Sequence, residues 1–454
     1  MKTYDVIILG GGPGGYVAAI KAAQKGLSTA IIEKDTIGGV CLNWGCIPTK
    51  TLLKSAKVYQ NIQHAKDYGI TVDQDTLSVD FKALLKRKNK VVKKLTGGVS
   101  YLLKKNGVTV YQGFGEIEDA NTIRVNDETL EFKNLIIATG ASPIFPPIKN
   151  LEEAYKEGRV LTSKELLDLD EQPKKLAIIG GGVIGVEFAT IYNSFGTDVT
   201  IYEREDHILL AVDKEVRDTF YKKLEKDGVT IKTSANVDEI TKKGIKTNGD
   251  DIEADKILLS VGMKANLKGL EKLNLKLTKN NFIETDEYLR TNVENVFAIG
   301  DVNGNQMLAH VASKEGLVAV DYILGEKHPM NYLMVPSGIY TFPEIAQVGY
   351  TEELAKEKGI DIKVATFPLS ANGKALAEGE TEGFVKMIAD TKYNEIIGVH
   401  ILAQNATEMI SEAVLGMTLE ATALEYVLAI HPHPTLSEMV HEVAHAILDK
   451  AIHI

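Results

Sequence analysis

The feature that most limits what this chain can fold into is a glycine loop that occurs twice. Gly10, Gly12 and Gly15 fit the pattern G-x-G-x-x-G, and Gly180, Gly182 and Gly185 fit it again. The first loop follows an apolar, β-prone run at residues 4–9 and opens an alanine-rich helical pattern at 16–25. A strand pattern at 28–32 then ends at Glu33. The second copy repeats this order, with a strand pattern at 175–179, a helix to about residue 195, and a strand pattern at 198–202 ending at Glu203. Gly10 to Glu33 spans 23 residues, and so does Gly180 to Glu203. The first glycine makes a tight turn, the second lets the backbone approach a pyrophosphate, and the third lets helix and strand pack closely. The helix start offers free N–H groups and a positive dipole end to the phosphates, and the acid accepts hydrogen bonds from a ribose. One such loop is a weak signal, because any tight strand-to-helix turn can use glycines. Two copies in the same context, each with an acid in register, predict an α/β chain with two dinucleotide sites. At the second site, Glu203 suits the free ribose hydroxyls of NAD and repels a 2′-phosphate. Arg204 is the neighbouring group able to accept that phosphate; the carboxylate favours NAD.

At 454 residues the chain is too long for one core and predicts roughly two to four domains. A formal net charge of -11 excludes a uniform basic footprint for nucleic acid. No apolar run approaches the length that spans a bilayer, and the run at 6–9 is too short for a signal peptide. A cytoplasmic location is expected, with no membrane and no nucleic acid as partner.

The only two cysteines are Cys41 and Cys46, with four residues between them. A secreted disulfide scaffold would use more. Spacing alone leaves three readings: a catalytic pair, a metal pair, or two buried thiols. In a regular α-helix, residues five apart differ by about 140° and lie about 7.5 Å apart along the axis. A disulfide needs Cα atoms about 4.4–6.8 Å apart. A Cys41–Cys46 bridge therefore requires a distorted helix or a loop, which Gly45 permits. Pro48 is placed to begin a regular helix. Cys46 would then lie near its N-terminus, where a thiolate is favoured, with Lys50 adding positive charge.

The run Gly38-Gly39-Val40-Cys41-Leu42-Asn43-Trp44-Gly45-Cys46-Ile47-Pro48-Thr49-Lys50 resembles the active-site signature of the pyridine nucleotide-disulfide oxidoreductases, most closely their dihydrolipoamide dehydrogenase branch. Other segments are similar to the family along the whole chain: Ala138-Thr139-Gly140, Asn295-Val296-Phe297-Ala298-Ile299-Gly300-Asp301, Met307-Leu308-Ala309-His310, Ile339-Tyr340-Thr341-Phe342-Pro343-Glu344, and His431-Pro432-His433-Pro434-Thr435-Leu436-Ser437-Glu438. The resemblance implies an FAD domain at 1–142, an NAD domain at 143–265, a central segment at 266–334 completing the FAD site, and a C-terminal α+β dimerisation domain at 335–454. It implies FAD held by Gly10, Gly12, Gly15, Glu33, Lys50, Gly113, Thr139, Gly140, Asp301 and Ala309. It implies NAD held by Gly180, Gly182, Gly185, Glu187, Glu203, Val237 and Gly262. The activity implied is oxidation of protein-bound dihydrolipoamide through a Cys41–Cys46 disulfide and FAD, with NAD as acceptor. Cys41 would exchange with substrate, Cys46 would face the flavin, and Lys50 would pair with Glu187. The implied partners are a second copy of the chain and a lipoyl-bearing E2 or glycine cleavage H protein. Two departures stand out. Val261-Gly262-Met263-Lys264 lacks an arginine-rich form common in the family, and Pro432 stands where alanine is common.

Taken alone, His431-Pro432-His433-Pro434 reads as a rigid surface turn. The resemblance makes His433 the base, oriented by Glu438 and contributed to the cysteine pair of the other subunit. A thiol must lose a proton before it attacks a disulfide, and histidine accepts protons near neutral pH. A competing motif, His441-Glu442-Val443-Ala444-His445, fits the zinc helix H-E-x-x-H. Its one downstream candidate for a third ligand is His453, so no metal site is assigned. A lysine-rich stretch comprising Lys82, Lys86, Arg87, Lys88, Lys90, Lys93 and Lys94 alternates with Leu84, Leu85, Val91, Val92 and Leu95, and reads as the solvated face of an amphipathic helix. The alternatives are another reductase of the family, such as one for glutathione, or a flavoprotein acting only as a binding subunit. Glu203 and the residues around the cysteines argue against the first, and the intact Cys41, Cys46, His433 and Glu438 set argues against the second.

Overall fold

The computed structural model describes residues 1–449 and 452–453. Both glycine units fold as the sequence predicts. Strand β1 (Lys2–Leu9) leads into helix α1 (Pro13–Gln24), and β2 (Thr29–Glu33) returns beside β1 in parallel. Helix α1 starts earlier than the residue pattern suggests, because Pro13 supplies the fixed φ of a first turn. The sheet continues through β3 (Thr109–Gln112) on one side. On the other lie β4 (Gly115–Ile117), β5 (Thr122–Val125) and β6 (Glu128–Ile137), in the order β3-β2-β1-β6-β5-β4. A late strand, Val296–Ala298, adds in parallel to β6. A doubly wound sheet buries both faces, which is why Val6, Ile7, Ile8, Ile31 and Ile136 form an unbroken apolar core.

The second unit is a five-stranded parallel sheet, with Asp198–Tyr202 and Lys256–Leu259 flanking Lys175–Ile179. A small three-stranded antiparallel sheet at Val237–Ile240, Gly244–Thr247 and Asp250–Glu253 is appended to it. The C-terminal unit is a five-stranded antiparallel sheet whose central strand, Ile396–Ala403, runs beside Glu344–Gly349 and Phe384–Asp390. Helices Ala406–Thr418 and Glu438–Ile447 cover it.

Helices α2 (Gly39–Trp44), α3 (Cys46–Gln63) and α4 (Phe81–Lys105) stand between the first two units. The lysine-rich stretch is indeed helical, with one correction. Lys88 is buried, donating to the Leu167 carbonyl at 2.9 Å and pairing with Asp168, so it does not belong to the solvated face. Helical phase explains this: position 88 falls with Leu84 and Val91 on the inward side.

The second and C-terminal units are joined by a buried charge. Lys386 is 2% exposed and Asp213 is 0% exposed. The Lys386 Nζ lies 3.0 Å from Asp213 and 2.8 Å from Glu352. Asp213 also caps the helix Lys214–Lys226 by accepting from the Glu215 N–H. Removing the cation leaves a buried carboxylate without its partner. Lys386→Met is expected to cost about 3–5 kcal/mol, read as a lower denaturation midpoint. A change below about 1 kcal/mol would contradict the role given to this pair.

Candidate active site

The cysteines sit on two helices broken at Gly45, whose φ of -136° and ψ of -114° depart from helical values. This is the distortion that their spacing demands. Helix α3 begins at Cys46, two residues before the expected Pro48, so Pro48 occupies the first turn rather than its start. The loop before α2 rests on the first glycine loop. The Gly38 N–H donates to the Gly11 carbonyl at 2.8 Å, and a Cβ on Gly39 would lie 2.7 Å from the Gly12 Cα. Gly38 and Gly39 have φ of 103° and 56°, so glycine is needed there for conformation as well as space. The Asn43 amide donates to the Gly39 carbonyl at 2.9 Å and fastens the turn.

Both thiols are free in this structure. The Cys41 thiol donates to Cys46 and is itself held well above the usual thiol range, by that bond and by burial. Cys46 is brought down to about 7, first by the Cys41 hydrogen bond; burial opposes the shift, and the Lys50 charge assists it. Its place at the first position of α3 adds the dipole effect expected from the sequence. The two sulfurs are therefore unequal before any substrate arrives.

Lys50 lies one turn further along α3. Its Nζ is 2.9 Å from both carboxylate oxygens of Glu187, which stands on the helix Val183–Ser194 of the second unit. The Tyr340 backbone N–H donates to the same carboxylate at 3.0 Å, and Lys50 sits 4.4 Å above the Tyr340 ring. The Lys50–Glu187 pair was expected. The share taken by Tyr340 was not, because a backbone donor leaves no mark on the residue type. Tyr16 was also missed. Burial and both cysteines push its phenol upward, which places it beside the pair, and its position just after Gly15 was the available signal.

The glycine loops divide their labour as the pattern requires. A Cβ on Gly10 would strike the Ala138 carbonyl oxygen at 2.1 Å, and on Gly180 the Ser260 carbonyl oxygen at 2.4 Å. On Gly15 and Gly185 it would strike the carbonyl oxygens of Gly10 and Gly180 at 1.9 and 2.1 Å. The middle glycines face open space. Gly182 has nothing within 4 Å, and Gly12 has only the Gly39 Cα, at 4.0 Å. The acids are pinned alike. Glu33 accepts from the Gly11 and Asp35 N–H groups, both at 2.7 Å; Glu203 accepts from Gly181 at 2.6 Å and Glu205 at 2.9 Å. Each oxygen keeps a lone pair for a ribose hydroxyl. Arg204 pairs with Glu205 at 2.9 Å.

The remaining nucleotide candidates scatter around these loops. The Gly113 N–H donates to the Glu33 carbonyl at 2.9 Å. Thr139 donates to the Asn266 carbonyl at 2.8 Å, and the Asn266 N–H donates to the Gly140 carbonyl at 3.0 Å. Val237 opens the small antiparallel sheet, two residues after Ala235, which hydrogen bonds to the Glu203 carbonyl. Gly262 has φ of 114° and accepts from the Ile144 N–H at 3.0 Å. Ala309 starts the helix Ala309–Ile323, which packs in parallel on α1 through Gly14, Ala18 and Gly316, so two helix N-termini face the same end. Burial pushes the Asp301 carboxyl up, and it has no ion-pair partner among the described residues. An open glycine cradle, converging helix N-termini and a half-buried acid free to accept hydroxyls fit a flavin dinucleotide. The second cradle, with its pinned Glu203, fits NAD.

His433 and Glu438 form a separate cluster. The His433 Nδ1 lies 2.9 Å from Glu438, whose other oxygen accepts from the Thr435 N–H at 2.8 Å. Burial opposes it, but the Thr435 N–H and His433 hold the Glu438 carboxyl below its usual range. The His433 side chain is 79% exposed, and the main groups acting on Cys41 and Cys46 come from α2, α3 and Glu187. In the H-E-x-x-H segment, the His441 and His445 Nε2 atoms are 3.1 Å apart, while Glu442 pairs with His453 at 2.8 Å. Among the described residues, no group of three or more His, Cys, Asp or Glu is placed to hold a metal.

The inequality of the sulfurs can be measured. In the reduced protein, thiolate absorbance should titrate at about 7. Cys41→Ala should move that midpoint up, and by more than Lys50→Met does, since the Cys41 hydrogen bond is the larger cause. An unmoved midpoint in Cys41→Ala would refute the assignment of the thiolate to Cys46.

Residues 4–316 match the family described as pyridine nucleotide-disulphide oxidoreductase, and residues 335–444 match the dimerisation domain of that family. The chain is 53% identical to a dihydrolipoyl dehydrogenase of Acholeplasma laidlawii over 336 residues, which is 73% of this chain and 99% of the relative. It is 43% identical to a dihydrolipoyl dehydrogenase of Bacillus subtilis over 475 residues, 99% of each. Among solved structures, LpdA from Mycobacterium tuberculosis superposes with a TM-score of 0.91 at 27% identity, covering 98% of this chain and 100% of that one. The HOCl-induced flavoprotein disulfide reductase RclA from Escherichia coli, in its Cu(II) complex, gives 0.88 at 29% identity, with 98% and 100% covered. The chain therefore belongs to the pyridine nucleotide-disulphide oxidoreductase family, among its dihydrolipoyl dehydrogenases.

Proposed function

We propose that this chain oxidises protein-bound dihydrolipoamide to lipoamide and reduces NAD⁺ to NADH, working as a homodimer in the cytoplasm. The observation that carries the reading is the unequal cysteine pair, packed on one dinucleotide loop and braced by Lys50 and Glu187 against the helix that follows the other. No helix among the described residues is long and apolar enough to cross a membrane.

In the oxidised enzyme Cys41 and Cys46 form a disulfide. His433 of the partner subunit takes a proton from one substrate thiol, with Glu438 of the partner subunit fixing its tautomer. The thiolate attacks the Cys41 Sγ, the Cys41–Cys46 bond breaks, and the electron pair leaves on Cys46. The second substrate thiol then loses its proton and attacks the substrate sulfur of the mixed disulfide. Lipoamide departs as its cyclic disulfide, and the departing Cys41 sulfur takes up that proton. Cys46 is suited to leave because its thiolate is stable near neutral pH. The first glycine loop, Asp301 and the Ala309 helix start would hold FAD, which when bound would supply the two-electron chemistry that returns the dithiol to disulfide and reduces NAD⁺. The substrate carrier is a lipoyl-bearing E2 or a glycine cleavage H protein.

Cys46→Ser should lose lipoamide turnover by more than about a thousandfold while keeping its flavin absorbance, since no exchange step survives without that sulfur. Wild-type protein should oxidise NADH with lipoamide and not with glutathione disulfide. Retained lipoamide turnover in Cys46→Ser, or preference for glutathione disulfide, would refute the assignment.

A further inference from the structure

Helix α4 concentrates positive charge on a chain that is acidic overall. Its 25 residues contain no Asp or Glu. Lys82, Lys86, Lys90 and Lys94 follow one another at intervals of four, with Lys93 alongside, and all five are exposed. None of them has an ion-pair partner among the described residues. Like charges at i and i+4 weaken a helix, so this column repels itself in the isolated chain. An acidic surface laid against it would relieve that repulsion.

The position of the helix says what such a surface would be doing there. The inward side of α4 packs on the two helices that carry the redox pair. Phe81 and Leu84 join the cluster containing Leu52 and Leu53 of α3, and Val99 and Leu103 join Leu42, against which Cys41 and Ile47 rest. Arg87 donates to the Thr51 carbonyl on α3 at 2.8 Å. One helix diameter, about 10 Å, separates the lysine column from those contacts. That is comparable to the Debye length of about 10 Å at 0.1 M salt. A carrier approaching Cys41 would feel the column. Tyr101 falls on the same helical face and is exposed, giving the charged strip an aromatic end.

We propose that this face of α4 is the docking surface for the dithiol's carrier, and that it selects a carrier domain with an acidic surface around its lipoyl arm. The inference rests on the dehydrogenase reading above, because it assumes a carrier-borne dithiol. It adds that recognition is electrostatic, lies on α4, and acts on encounter rather than on chemistry.

The test uses the FAD-loaded dimer and two substrates, free dihydrolipoamide and an isolated lipoylated domain of net negative charge. In K86E/K90E, kcat/KM for the lipoylated domain should fall about tenfold at low ionic strength, through KM, and approach the wild-type value at high salt. K86Q/K90Q should fall between. Turnover of free dihydrolipoamide should stay within about twofold, and thermal stability should hold or rise because i,i+4 repulsion is relieved. A lipoylated domain whose acidic side chains are neutralised should no longer distinguish wild type from variant. Unchanged kinetics with the acidic domain would overturn the proposal, as would an equal loss with free dihydrolipoamide. If the variants lose binding to RNA or to anionic vesicles but keep their carrier kinetics, the column serves that other class and the proposal is wrong. Failure of wild-type protein to turn over free dihydrolipoamide would sink the dehydrogenase reading, and the docking inference with it.

Discussion

The carboxylate of Glu187 is the point on which the arrangement turns. It is almost wholly buried, and a charge in that position needs partners. It finds them in Lys50 from α3 and the Tyr340 N–H at the entry to the C-terminal unit, while its own helix belongs to the second unit. One acid therefore sets the relative placement of three parts of the fold. It also tempers the chemistry. The Cys41 hydrogen bond, assisted by Lys50, pulls the Cys46 thiol down, while burial and then Glu187 push it back, so the thiolate settles at about 7. An unopposed lysine would hold Cys46 ionised more firmly and make it a weaker nucleophile.

The same economy is visible in the two glycine loops. Their local geometry is nearly identical, down to the pair of backbone N–H groups that clamp each acid. Their surroundings differ. The first loop supports the cysteine segment through Gly38 and Gly39, whereas nothing crowds Gly182. A cysteine pair resting on one loop, and an open cradle on the other, suit a two-stage electron path. The duplicated unit supplies binding twice, and the chemistry enters through what is packed on only one copy.

Much of this was legible in the residues because it depends on local rules. Glycine spacing, acid register and the break at Gly45 all follow from backbone sterics and strand or helix periods. What escaped depends on distant partners. Lys88 looks like its exposed neighbours until Asp168 and the Leu167 carbonyl are brought to it. Lys386 and Asp213 lie 173 residues apart and carry no motif. Tyr340 acts through its backbone, and α3 starts at Cys46 because Gly45, not Pro48, breaks the chain. The nucleotide-site residues Gly113, Val237 and Gly262 came from resemblance alone, and their structural surroundings are backbone contacts that residue type does not encode.

The single chain leaves the His433–Glu438 pair facing water. His433 is aimed and fastened by Glu438, yet its side chain is 79% exposed, while both cysteines are half-buried. The same unit exposes Leu415, Leu419, Leu424, Leu428 and Ile430, the last at 97%. A monomer rarely leaves so many large apolar side chains in water. Burying each contributes about 1.5–3 kcal/mol, so five contribute about 8–15 kcal/mol per chain. That is on the scale of the roughly 4–15 kcal/mol that association costs in lost freedom. These residues lie in the segment that matches the dimerisation domain. His433 lies in the same matched segment, three residues beyond Ile430, so the apolar surface and the fastened His433–Glu438 pair belong to one unit.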